Sequence, residues 1–350
     1  MFAQVEYPEN LLPRQFDDFL ERGWFRMRQT IFTTHFLHFN QRFYSAIWLR
    51  VKLDDSIYDK KFQALRKLNK AFTVEIKKAP GSVISAQHEA LFQQYRQSLS
   101  FEVSATLQEL LFGNEQISRF PTYVINVLDS DKLIAAGFFD MGRKTAAGIT
   151  CIYDPAYKKH SLGKFLMYLK MDYCKQQKVD FFYPGYMVPG YKAFDYKMEI
   201  GKDSLEYLQL GSGRWVPHIP SSPVINPLQE MNEQLLVLQS SIAQSKVDYP
   251  ILYYRFFEVN LDPYYYAEEL FDYPVFLYCF PPPNLLFFDV VVFDVCSHHY
   301  RLFQCSSVIN ISIQQEVHSI FDTNLLKVSK QLMATTNAEE MGAFLLALNR

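Results

Sequence analysis

Hydrophobic and polar positions follow two rhythms along this chain, one of period two and one near 3.6, and both are clearest between residues 122 and 186. TYVINVLDS (122–130), KLIAAGFFDMG (132–142) and TAAGITCIYDP (145–155) read as three strands. The short turns Asp129–Asp131 and Gly142–Lys144 join them into an antiparallel meander. A loop, AYKKH, follows Pro155. Ser161 is then expected to cap a helix running to about Lys178, because Leu162, Phe165, Leu166, Leu169 and Tyr173 recur on one face. VDFFYPGY (179–186) is apolar throughout, as suits a central strand covered on both faces.

The flanks are plainer. Pro13 opens a helix with Phe16, Phe19 and Leu20 on one face, and Gly23 stops it. Residues 41–53 alternate as one strand, and 72–77 as another. Residues 56–70 predict an amphipathic helix: Ile57, Phe62, Leu65 and Leu68 form its stripe, and Lys60, Lys61, Arg66, Lys67 and Lys70 its basic face. Helices are expected at 86–98, 104–112 and 227–244, and strands at 249–260, 274–280 and 285–295. PPPN (281–284) reads as a hard turn, 211–227 as a Gly/Pro/Ser-rich linker, and 323–348 as helical. Three regions are expected: 1–80, 81–210 and 211–350, the last an α/β extension. The fold class is α+β, a mixed and mainly antiparallel sheet flanked by helices, with an added strand-rich C-terminal region.

Charge adds an asymmetry that composition hides. The net charge of the 350 residues is −2. Residues 1–202 hold 28 Lys and Arg against 21 Asp and Glu, and residues 203–350 hold 7 against 16. A basic half facing a polyanion, joined to a different module, fits this division. The 31 Phe and 23 Tyr point first to a ring-filled core. The five cysteines are odd in number and widely spaced, which suits free thiols in a reducing compartment rather than a disulfide or zinc framework. No apolar run is long enough to span a bilayer, and the first residues lack a signal-peptide pattern, so a cytoplasmic protein without membrane association is expected. His35 and His38 lack supporting cysteine or carboxylate, and neither a metal nor a cofactor is expected.

The candidate chemistry sits around the helix start. Its backbone N–H groups and positive dipole suit an anion, Gly163 allows close approach, and Lys158 and Lys159 add charge beside His160 and Ser161. Strand, loop, helix and strand after a meander is an order that resembles the GNAT acyl-transfer core. Acetyl-CoA enzymes of that fold favour Gln or Arg, two residues, Gly, one residue, then Gly or Ala; only the central Gly163 fits here, and Phe165 would crowd a phosphate groove.

The segments His160-Ser161-Leu162-Gly163, Tyr183-Pro184-Gly185-Tyr186-Met187-Val188 and Tyr196-Lys197 resemble the C-terminal half of arginyl-tRNA–protein transferases and bacterial aspartate/glutamate leucyltransferases. Gly23-Trp24-Phe25-Arg26, Trp48-Leu49-Arg50-Val51 and the basic helix are similar to N-terminal elements of that family, so the likeness spans roughly residues 6–205. The family's cysteine cluster before the N-terminal strand is missing; Thr33 to Phe39 hold no cysteine. The resemblance implies transfer of arginine or leucine from aminoacyl-tRNA to the α-amine of an acceptor protein N-terminus. It implies Tyr183, Tyr186, Tyr196 and Lys197 as candidates for the chemistry. Lys158, Lys159, His160, Ser161, Gly163, Gly185 and Lys192 are candidates for holding substrate or tRNA, with Tyr191 nearby. Asp154 is read as capping the turn before Pro155. Two alternatives stand beside this reading: a GNAT-type N-acyltransferase using acyl-CoA, and a non-catalytic relative that binds a partner.

Overall fold

The computed structural model describes residues 1–78, 84–99, 103–115, 118–222, 224–244, 247–265, 270–280, 287–308 and 325–348. Its early elements are β1 (Ala3–Glu6), α1 (Pro13–Glu21), β2 (Phe25–Met27), β3 (Thr30–Thr34), β4 (Phe36–Phe39), β5 (Arg42–Ser45) and β6 (Ile47–Lys52). Then come α2 (Lys60–Leu68), β7 (Thr73–Lys78), α3 (Ala86–Gln97) and α4 (Leu107–Phe112). The central run is β8 (Thr122–Asp129), β9 (Lys132–Met141), β10 (Thr145–Tyr153), α5 (Leu162–Gln176), β11 (Phe181–Met187), β12 (Leu205–Gln209) and β13 (Arg214–Pro217). The last part holds α6 (Pro227–Ser241), β14 (Ile251–Tyr253), β15 (Val275–Phe280), β16 (Phe287–Asp294), β17 (His299–Ser307), β18 (Leu326–Thr335) and α7 (Ala338–Leu348).

An eight-stranded sheet runs β13-β12-β6-β11-β10-β9-β8-β7. Every neighbouring pair is antiparallel except β10 and β11. The meander and the strand after α5 are as the patterning predicts. Sheet faces alternate along β9: Ile134 and Phe139 pack under α5, while Leu133, Ala136 and Phe138 face α3 and α4. β6 lies at the centre and β13 at the edge, so this sheet takes strands from all three regions drawn from the sequence.

Residues 41–53 form two strands rather than one: β5 pairs back on β4 as a hairpin, and β6 enters the main sheet. The expected linker contains β13, and the strand expected at 249–260 is only β14, followed by a 3-10 turn, Arg255–Leu261. The expected helix at 323–348 is β18 and then α7. LKVSKQLMAT is made largely of good helix formers, and pairing along β17 overrides that preference. The turn expected at 281–284 lies outside the described residues. The second sheet, β14-β15-β16-β17-β18, is antiparallel, and its core with α6 and α7 includes Phe2 and Phe36 from the start of the chain. No helix among the described residues is long and apolar enough to cross a membrane.

Candidate functional site

β10 and β11 are in parallel register only from Thr145 to Ala147 against Phe181 to Tyr183. Beyond that they part, for local reasons. Pro184 removes a ladder donor, and Gly185 takes φ +95°, a conformation open mainly to glycine. The register of β11 on β6 shifts between Phe182 and Gly185, and the strand's end follows β6 instead of β10. A cleft opens where the strands diverge.

The turn Lys192–Glu199 reaches back into this cleft. Lys197 is buried, and its Nζ donates to the backbone oxygen of Tyr186 at 2.9 Å. The same nitrogen lies 5.2 Å from the Tyr186 ring centroid and 4.8 Å from that of Phe194. A Cβ on Gly185 would stand 3.1 Å from Nζ, so the glycine makes room for the amine as well as for the bend. Burial pushes the Lys197 amine down to about 7, partly opposed by Cys151. At that value the neutral amine is well populated near neutrality.

Tyr186 packs edge-on against Trp48 at 5.0 Å, and burial with the charge of Glu258 pushes its phenol up. Tyr196 is pushed up by burial first, then by Cys151, Tyr95 and Tyr153. A cavity of roughly 1080 Å3 lies here, walled by Phe39, Tyr95, Tyr186, Tyr191, Phe194 and Tyr196. A smaller cavity of about 150 Å3, lined in part by His35 and His298, lies between β12 and the second sheet and holds none of these groups.

The start of α5 adjoins the cleft. Glu199 accepts from Lys164 at 3.1 Å and from Lys61 at 3.3 Å, tying the Lys192–Glu199 turn to α5 and α2. Asn69, at the end of α2, donates to the backbone oxygen of His160 at 3.1 Å. Lys158, Lys159 and Lys192 are exposed, as are the basic side chains Lys60, Lys61, Arg66, Lys67 and Lys70 of α2. His160 is half-buried, its ring 5.0 Å from that of Phe72. Leu68, expected in the buried stripe of α2, is exposed instead.

Ser161 does not cap α5 with its side chain: it adopts a left-handed conformation at φ 51° and makes no cap bond. The free N–H groups of the first turn therefore keep their donors. A Cβ on Gly163 would meet the Tyr153 ring at 3.5 Å, an ordinary contact, so packing within the chain does not demand a glycine there. Asp154 holds the turn as expected, accepting from Ala156 N at 2.9 Å and from Lys132 at 2.7 Å.

Tyr183 stands apart from the others. It is fully buried in a cluster with Phe25, Trp48 and Trp215, and its hydroxyl lies 3.3 Å from Glu21 beside Arg50. The structure thus brings Tyr186, Tyr196, Lys197 and Gly185 together, with the α5 start adjacent, and leaves Tyr183 behind the sheet.

Lys170 escaped the sequence reading. It is fully buried, and its Nζ donates to Phe138 O at 2.8 Å, Thr150 O at 2.9 Å and Cys151 Sγ at 3.2 Å. These acceptors flank the β-bulge in β10, where the register shifts between Gly148 and Thr150. Its position four residues after Leu166, on the apolar face, was the available signal. Burial pushes His35 down to about 4, which keeps it neutral, and among the described residues no group of His, Cys, Asp and Glu is arranged to hold a metal.

Known proteins match this region. The family described as "Arginine-tRNA-protein transferase, C terminus" matches residues 87–206, a span that holds the splayed strands, α5 and the Lys192–Glu199 turn. The aspartate/glutamate leucyltransferase of Helicobacter hepaticus is 24% identical over 195 residues, covering 54% of this chain and 78% of that protein. The enzyme of the same name from Leptospira interrogans is 24% identical over 224 residues, 61% of this chain and 84% of the relative. A third, from Paracoccus denitrificans, is 33% identical over 89 residues, 25% of this chain and 30% of that one.

Proposed function

We infer, from its place as a divergent member of the arginyl-tRNA–protein transferase and aspartate/glutamate leucyltransferase family, that this chain is an aminoacyltransferase moving arginine or leucine from aminoacyl-tRNA to a protein N-terminal α-amine. In this reaction the amine nitrogen adds to the ester carbonyl, an amide forms, and the terminal ribose hydroxyl leaves. The ester is already activated, so the protein's tasks are to position the two substrates and to take the amine's proton.

Lys197 carries the proposal. Its amine is held by the backbone oxygen of Tyr186, beside the Tyr186 and Phe194 rings that help to wall the aromatic cleft, and is depressed toward neutrality, which suits a proton acceptor. Tyr186 and Tyr196 shape the cleft and exclude water from it, while Tyr183 supports β11 from behind. The α5 start, with Lys158, Lys159, His160, Ser161 and Gly163, faces the tRNA acceptor end. Lys192 and the basic face of α2 extend that surface toward phosphates. Regions 1–80 and 81–210 together form the transferase, and 211–350 is an extension that adds β13 to its sheet and packs Phe257 against its β4–β5 hairpin. The reading implies a cytoplasmic protein, where charged tRNA is found.

The test offers the purified protein radiolabelled Arg-tRNA, Leu-tRNA and acetyl-CoA in parallel, with peptides beginning in Asp, Glu or Arg. Label is expected to pass from one of the aminoacyl-tRNAs. Label passing from acetyl-CoA alone would overturn the reading.

A further inference from the structure

The β4–β5 hairpin reaches the cleft with its tip. Asn40 and Gln41 form that tip, and both take positive φ, 50° and 58°, as in a two-residue turn whose twist matches its strands. The turn sets Phe39 opposite Arg42 and diagonal to Tyr44, on one face of the hairpin. Phe39 stacks on Tyr44 at 4.6 Å, with the ring planes 20° apart. Tyr191 lies 4.9 Å from Phe39 and 6.0 Å from Tyr44, so it flanks the stack and does not lie across it. Among the described residues no ring meets the second face of Phe39. Phe39 lines the cleft and Tyr44, among the described residues, does not, so the uncovered face is on the cleft side.

The surroundings of that face select its ligand. Among the described residues lining the cleft none is charged, and Asn40 supplies the one amide. Such walls suit a neutral, planar group with hydrogen-bonding edges, and they are a poor place for a bare phosphate or guanidinium. The cleft's volume, roughly 1080 Å3, exceeds what a single amino-acid side chain fills. Cations stand around this uncharged interior. Arg42 follows the hairpin tip, Arg96 follows Tyr95 on α3, and Lys192 follows Tyr191. All three are exposed, and among the described residues no acid pairs with any of them. Of the two acids in the Lys192–Glu199 turn, Glu199 is tied to Lys61 and Lys164, and Asp195 is left to face them. Rings inside and cations around are how proteins hold single-stranded nucleic acid: the rings take bases, and the cations take the phosphates between them.

We propose that the free face of Phe39 is a nucleobase subsite, where an unpaired base extends the Tyr44–Phe39 stack, turns its edge to the Asn40 amide and leaves its phosphate toward Lys192 and Arg42. The faces of Tyr186 and Phe194 stay with the Lys197 amine, so base and amine do not compete for the same rings. The proposal rests on the transferase reading for its ligand, the 3′-terminal adenosine of tRNA. Adenine presents an acceptor beside a donor, which an asparagine amide matches.

The test compares complete, uncharged tRNA with tRNA lacking its terminal adenosine, by filter retention at one salt concentration. Wild type, Phe39→Leu, Phe39→Trp and Asn40→Ala are each checked for folding by circular dichroism. Wild type is expected to hold the complete tRNA about fivefold or more tighter than the shortened one. Phe39→Leu keeps the bulk and loses the ring, so it should bind both tRNAs alike, with the affinity of wild type for the shortened one. Phe39→Trp, which keeps a ring face, should retain the difference, and Asn40→Ala should reduce it. If wild type binds both tRNAs alike, or Phe39→Leu weakens both to the same extent, the subsite is overturned. Leucinamide is titrated alongside by calorimetry. Affinity for it lost in Phe39→Leu, while the difference between the tRNAs stays, would give the face to an amino-acid side chain and overturn the proposal. Transfer is read separately. A base-dependent difference without transfer overturns only the transferase reading, and normal transfer without the difference overturns only the subsite.

Discussion

At the scale of single residues, Lys197 gives the sharpest expectation. Its amine is depressed from 10.5 to about 7 by burial, so between those values the folded protein holds it neutral while the unfolded chain holds it charged. Its contribution to stability is therefore greatest at high pH and is lost as pH falls toward 7. If the neutral amine accepts the acceptor's proton, kcat should rise with pH through about 7. Lys197→Gln should remove that limb and lower kcat by about 10²- to 10⁴-fold. Glu258 titrates in the same range, so the control is Glu258→Gln, which should keep the limb in kcat. A kcat profile that is flat in wild type, or equally sloped in Lys197→Gln, would sink the assignment. The Tyr-Lys pair was legible because its spacing from Gly185 resembles a family motif. The position of Tyr183 was not, because a strand continuously apolar on both faces does not reveal which ring faces which layer. Lys170 was missed for a related reason: its charge hides it within an otherwise apolar helix face.

At the scale of elements, the site depends on a bulge, a bend and the helix that packs on both. α5 crosses β9 and β10 closely enough that a Cβ on Gly137 would stand 2.8 Å from Lys170 Cε and 3.2 Å from Leu166 Cδ2. Lys170 cannot swing aside without leaving its three acceptors, which would orphan a buried ammonium. Gly137→Ala should thus cost about 1–3 kcal/mol, read as a lower urea midpoint at unchanged m-value. An unchanged midpoint would mean that Lys170 is not pinned. Strongly periodic elements such as β8 to β10 and α5 were readable from the sequence, since one buried face dictates their pattern. β18 was not, because its alternation is weak and its residues favour helix, so only its partner β17 decides its form.

At the scale of the whole molecule, the charge division seen in the sequence takes on a spatial meaning. Lys158 and Lys159 lie in the turn that Asn69 ties to α2, and α2 presents Lys60, Lys61, Arg66, Lys67 and Lys70 to solvent. Cations 88 to 99 residues apart in sequence are therefore brought to neighbouring elements at the α5 start. The acidic C-terminal region approaches the cleft from the hairpin side instead. A polyanion would be drawn to the first surface and turned from the second, so under the proposed function the tRNA acceptor end is expected to approach α5. Each phosphate contact that is lost should reduce the slope of log K against log salt by about 0.7–0.9. Lys158→Glu with Lys159→Glu should accordingly weaken tRNA retention and flatten its salt dependence by roughly one to two units. Retention and slope equal to wild type would remove these lysines from the tRNA surface, leaving the α2 face to carry it alone.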